Sequence, residues 1–197
     1  HHMQMLYFIQ IQNLKSILIR SDVVIANLET PITDIKVSPL ATKGKEPIHW
    51  TDVEMAPKYL KKYNIKTVSL ANNHAMDYGL VGLEQTLRVL HENDMQSFGA
   101  GLDAISAAKS YHKQFTVGKQ AFTMAAIGAF EFRENYEEDF FSYANENVGG
   151  VNKLDLEYIS IQIKQLKETF PNVFVVVFPH WGENYVWGSK TQTELAH

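Results

Sequence analysis

Thr67-Val68-Ser69-Leu70-Ala71-Asn72-Asn73-His74 passes without a spacer from a short apolar run into two amides and an imidazole. The same form recurs twice. Upstream, Val23-Val24-Ile25-Ala26 runs into Asn27-Leu28-Glu29, and downstream Val173 to Phe178 runs into Pro179-His180-Trp181-Gly182. None of these runs alternates polar with apolar residues, which suits strands covered on both faces in a mostly parallel sheet. Ligands of open α/β sheets gather outside the carboxyl ends of the strands. Parallel strands of this kind would bring Glu29, Asn73, His74 and His180 to one rim, so an α/β fold with a shared site at the strand ends is expected.

The segments between the runs read as helices and loops. Met5 to Ile19 has near-helical apolar spacing, Thr51 to Tyr63 a second helix, and Gly79 to Asn93 a stronger one with Leu83, Leu87 and Leu90 on a stripe. Gln96 to Phe98 is a further strand. Tyr111 to Val117 and Ala121 to Ile127 flank Gly118-Lys119-Gln120 as a hairpin. Asn152 to Phe170 repeats the helical stripe, ended by Pro171-Asn172, and Thr191 to Ala196 starts another helix. Thr30 to Trp50, with Pro31, Pro39, Gly44 and Pro47, is a long ordered loop, and long loops in compact domains are usually functional. Phe130 to Val148, acidic and aromatic, is a second; within it Tyr136 to Asp139 reads as solvated. His49, His91 and His112 read as bland, and Gly99-Ala100-Gly101 lacks the spacing of a dinucleotide loop.

The 197 residues carry 18 Lys+Arg against 22 Asp+Glu, a net charge of −4, which argues against nucleic acid as a partner. No apolar stretch approaches the ~20 residues of a transmembrane helix. Residues 1–3 read as a tag remnant, and residues 4–197 as a single domain cut at both ends.

The absence of cysteine leaves His, Asp, Glu and Asn as the available metal ligands. A carboxylate oxygen, an amide oxygen and an imidazole nitrogen suit a divalent ion such as Zn²⁺, Mn²⁺ or Fe²⁺. Plainer readings stand beside this one. Glu29 alone could be a solvated or capping residue, Asn72 to His74 an ordinary strand-to-helix turn, and His180 a core histidine beside Trp181. Their conjunction favours a metal site.

Three blocks, Ser21 to Thr33 (SDVVIANLETPIT), Val68 to Gly79 (VSLANNHAMDYG) and His180-Trp181-Gly182, resemble the bacterial capsule synthesis family, CapA-like or poly-γ-glutamate synthesis proteins, of the calcineurin-like metallophosphoesterase superfamily. The resemblance implies a β-sandwich flanked by helices (α/β/β/α), incomplete at both ends here. It also implies two divalent metal ions (Mn, Fe, Zn or Mg) in the complete site. By the same resemblance Glu29, Asn73 and His180 are metal ligands, His74 is the proton donor, and Asn27, Asn72 and Trp181 contact substrate.

The Gly-Asp pair with which the family opens has no counterpart upstream of Glu29, the closing Gly-His-x-His motif is absent, and Glu183-Asn184-Tyr185 lacks the acidic residue expected before the Tyr. Metal binding by this chain alone should therefore be weak. The resemblance implies a metal-dependent hydrolase of a phosphoester or of a poly-γ-glutamate-like polymer, or else a non-catalytic assembly component using the same cleft. Either would work in the cell envelope, outside the membrane, with other capsule synthesis proteins.

Overall fold

The computed structural model describes residues 13–183, 186 and 188–196. They form a mixed α/β arrangement of three sheets and flanking helices. β1 (Ile25–Asn27), β2 (Thr67–Ser69) and β3 (Gln96–Phe98) make a parallel sheet in that order, with Ile25 opposite Thr67 and Thr67 opposite Gln96. A second sheet has the order β5 (Tyr111–Val117), β6 (Gln120–Phe130), β8 (Val173–His180). Its first pair is the expected hairpin, and β8 lies parallel to β6. β4 (Ala100–Gly101) and β7 (Gly150–Val151) form a small antiparallel pair, so the Gly99-Ala100-Gly101 turn is partly strand.

Helix α1 covers residues 13–20, and the earlier part of the helix read from Met5 lies outside the described residues. Asn64 ties its end, donating to the carbonyls of Leu18 and Ser21 at 2.9 Å each. Its apolar residues Leu14, Ile17 and Ile19 are exposed, so the amphipathic pattern is not used as a core face among the described residues. α2 (Met55–Lys62) starts later than its sequence pattern suggests, because Asp52 accepts from the Glu54 and Met55 backbone and takes up the first turn. α3 (Gly79–Glu92) buries Leu83, Val89 and Leu90 against Val68 and Leu70. α6 (Leu156–Thr169) begins four residues after Asn152, since Asp155 caps it through the Tyr158 N–H. It packs Ile159 and Leu166 on Ala125, Ile127 and Ala129. The short α4 (Ala104–Ala108) and α5 (Glu134–Glu138) fill connections, and α7 is Lys190–Ala196.

The two larger sheets meet where Phe98 packs with Tyr111, Ala126 and Phe178. Gly128 makes the approach possible: a Cβ there would lie 3.0 Å from both the Phe98 ring and Ser69 Oγ. β2 is buried throughout, whereas β1 and β8 are only half-buried. Both are edge strands among the described residues, and Phe174 of β8 is 64% exposed. The apolar runs predicted strands covered on both faces, and this holds for β2 alone.

Candidate metal and acid–base site

Glu29 and Asn73 follow adjacent strands of the first sheet, while His180 ends β8 of the second. The site thus lies between two sheets rather than on the single sheet edge that three parallel runs suggested; apolar runs carry no record of which sheet they join. Asn73 Oδ1 is 2.9 Å from His180 Nε2, and His180 Nε2 is 3.6 Å from Glu29 Oε1. Donors sharing an ion held at ~2.1 Å stand about 3 to 3.5 Å apart, and the Asn73–His180 and Glu29–His180 spacings fall just either side of that range. Burial holds the His180 imidazole below its usual pKa; nearby Glu29 opposes this, and Arg133 and His74 reinforce it. A neutral imidazole is the form that ligates metal. Among the described residues no group of three or more His, Cys, Asp or Glu is placed to hold an ion, so a site here would depend on the Asn73 amide as a third donor.

The turn that presents these groups is held by Asn72, which is 1% exposed. Its amide nitrogen donates to Asn27 Oδ1 and to the Leu28 carbonyl, and its oxygen accepts from the His74 N–H. With its donor and acceptor both engaged inside the protein, Asn72 orders the turn and has no free face toward a substrate. Asn27, exposed, also donates to Glu29 Oε2 at 3.0 Å and so orients the carboxylate. Trp181 follows His180 and is half-buried, and its carbonyl accepts from Gln192.

His74 is buried, and its Nδ1 lies 2.8 Å from Asp77 Oδ2. With Asp77 ionised, Nδ1 carries the proton and Nε2 is left for chemistry. Asp77 is fully buried; desolvation pushes its carboxyl up, but hydrogen bonds from His74, the His49 backbone and Lys45 outweigh that and hold it below the usual range. Burial lowers the Lys45 ammonium, with the Asp77 carboxylate opposing. Gly79, at φ 63°, turns the chain out of this motif into α3.

Several residues here were not singled out from sequence. His49, read as bland, donates its backbone N–H to Asp77 Oδ2 at 2.6 Å. Its ring stacks on His74 with centroids 3.7 Å apart, and its Nδ1 is 3.1 Å from the Glu29 carbonyl. Tyr136, read as part of a solvated segment, turns its hydroxyl in to accept from Asn73 Nδ2 at 3.4 Å, while Glu134, Glu137 and Glu138 around it stay exposed. Glu131 and Arg133 fasten the Pro179 to Gly182 turn: Glu131 Oε2 accepts from the Gly182 N–H, and Arg133 donates to the Gly182 carbonyl at 2.7 Å. His112 is not partnerless either, lying 2.8 Å from Ser110 Oγ with its ring edge-on to Phe170, outside this site. Only Asp77 had a local signal, three residues after His74 on the same turn.

Residues 4–197 match the family model described as "Bacterial capsule synthesis protein PGA_cap". The chain is 33% identical over 165 residues to the PGA biosynthesis protein CapA of Bacillus subtilis (strain 168), covering 84% of this chain and 40% of that protein. It is 28% identical over 167 residues to the capsule biosynthesis protein CapA of Bacillus anthracis, covering 84% and 38%. With a probable polyglutamine synthesis accessory protein of Mycobacterium tuberculosis (strain ATCC 25618 / H37Rv) it shares 25% over 177 residues, covering 87% and 43%. The chain spans about two fifths of the length of these curated relatives. The match along residues 4–197, on a fold that brings the three motif blocks together, shows that this chain belongs to the bacterial capsule synthesis protein family PGA_cap.

Proposed function

We propose that the chain carries the divalent-metal site of a hydrolase in poly-γ-glutamate capsule synthesis, on a metallophosphoesterase-like α/β/β/α sandwich. The observation that supports this best is the meeting of Glu29, Asn73 and His180 beside a His74 imidazole whose orientation is set by Asp77. Glu29, Asn73 and His180 would hold the ion. When bound, a divalent ion lowers the pKa of a coordinated water and neutralises charge developing on a phosphoryl or acyl oxygen. Asp77 holds one proton of His74 on Nδ1 and would stabilise the ring when Nε2 is protonated as well, so that the Nε2–H proton can pass to a leaving oxygen or nitrogen while the Nδ1–H stays hydrogen-bonded to Asp77. Asn27 and Trp181 border the substrate.

The substrate class is a phosphoester or an amide of a poly-γ-glutamate-like polymer; the polymer accords with relatives named for PGA biosynthesis and polyglutamine synthesis. The work belongs in the cell envelope, on the extracellular face of the membrane, beside other capsule synthesis proteins. No described helix is long and apolar enough to cross a membrane.

One observation favours a second reading, a binding or assembly component without turnover. Asn73 and His180 bond to one another directly, so this pair is satisfied without an ion.

The two readings separate in the full-length protein. His74→Ala should keep its metal and lose turnover of bis-p-nitrophenyl phosphate or poly-γ-glutamate by about 10²- to 10⁴-fold. Asn73→Ala should lose metal first and activity as a consequence. If His74→Ala leaves hydrolysis unchanged while capsule assembly fails in cells, the catalytic role is wrong and the binding reading replaces it.

A further inference from the structure

We infer that Lys45 is a positioning residue: its ammonium holds the Asn73 backbone and the Asp77 carboxylate in one arrangement, and through them sets where the Asn73 amide and the His74 imidazole face. The inference rests on the metal-site reading above. Lys45 sits in the loop between β1 and α2, 3% exposed, delivered by the 3-10 turn Ala41–Lys43 and by its own N–H bonding the Leu40 carbonyl.

An ammonium has three donors. One goes to Asp77 Oδ1 and one to the Asn73 carbonyl at 2.6 Å. The cation also lies 5.1 Å over the Tyr136 ring and 5.6 Å over Phe140, where aromatic faces attract positive charge. Buried and engaged on these sides, it cannot reach a substrate, so a direct anion-binding role is ruled out on geometry.

The contacts divide the work. Asp77 Oδ2 serves His74 and the His49 N–H, and Lys45 takes the other oxygen, which stops the carboxylate from rotating away from His74. On the other side, Asn73 is gripped at its backbone by Lys45 and at its amide nitrogen by Tyr136, whose ring lies over the same ammonium. This circuit leaves Asn73 Oδ1 pointing at His180. Removing Lys45 alone leaves the Asp77 carboxylate buried without its counter-charge, so a merely structural role predicts lower stability with unchanged metal affinity and an unchanged His74 in the folded variant. A positioning role predicts that both change.

The test uses the full-length protein with Lys45→Met and Lys45→Arg, reading Mn²⁺ affinity by calorimetry and the hydrogen-bonded His74 Nδ1–H by ¹⁵N-edited NMR, with circular dichroism to verify folding. Partners behind metal ligands typically carry about 10- to 100-fold in affinity. Folded Lys45→Met should lose Mn²⁺ affinity by that factor and lose protection of the Nδ1–H. Lys45→Arg, which keeps the charge but not the compact geometry, should fall between it and the parent. Unchanged affinity together with an unchanged Nδ1–H in folded Lys45→Met overturns the inference. If Lys45→Met does not fold, Lys45→Arg decides, and parental values for both readouts overturn it. Should the parent itself fail to bind Mn²⁺, the metal reading falls while the Nδ1–H readout still settles whether Lys45 orients His74.

Discussion

Each oxygen of the Asp77 carboxylate has its own partners, and this makes a single residue the point where the long loop, the Asn72 to Gly79 motif and His74 are joined. Asp77→Asn would leave the Lys45 ammonium buried without its counter-charge, and breaking a buried pair from one side costs about 3 kcal/mol or more. Urea denaturation of Asp77→Asn against the parent checks this. The same carboxyl sets a pH dependence. Its folded pKa lies below the unfolded value, so the stabilisation it contributes is fully present above the ordinary carboxyl range near ~4 and is lost as the pH falls through and below that range. Acid melts of the parent should show this loss, and Asp77→Asn should show a flatter acid limb. Asp77 could be read locally from the motif, whereas His49 and Lys45 could not, since their contacts with it span 28 and 32 residues of chain.

At the scale of elements, α3 does more than cover a sheet. Thr86 Oγ1, buried within it, accepts from the Ile32 N–H at 2.9 Å, and Gln85 receives the Thr33 hydroxyl, so the helix anchors the start of the loop that carries Lys45 and His49. Thr86→Val preserves shape but strands a buried N–H, at a cost of about 1 to 3 kcal/mol. Hydrogen exchange should report it as loss of protection at Ile32, with sheet amides of β2 unaffected. α5 shows the opposite relation between pattern and place. Its acidic residues are solvated as their composition suggests, yet Tyr136 faces the site, because a helix of one turn and a half necessarily turns one side inward.

The whole molecule depends on two sheets meeting closely enough for His180 of one to touch Asn73 of the other. Gly128 is at the contact, and Gly128→Val would force its branches into Phe98 and Ser69. Overpacking of this kind costs about 1 to 3 kcal/mol. It should also widen the gap between Asn73 and His180, so that the full-length variant binds Mn²⁺ less tightly even where it remains folded. On the metal-site reading, Glu29, Asn73 and His180 would give an ion three donors among the described residues, half of an octahedral shell, with water completing it. Calorimetry should find weak, substoichiometric binding, and two ions held at submicromolar affinity would contradict this.

Legible along the chain were the family, the strand-end placement of Glu29, Asn73, His74 and His180, and the helices and hairpin between them. Those features are written locally, in apolar period and in the residues that end each run. The tertiary structure decided that β8 joins a different sheet from β1 and β2, and that Asn72 turns inward to hold the motif. It also decided that Lys45, His49 and Tyr136 stand around the site. Contacts across 28, 63 and 107 residues, as in Lys45–Asn73, Asn73–Tyr136 and His180–Asn73, arise only when loops close and sheets pack. No local period records such closures, because their free energy comes from burying partners that are distant along the chain.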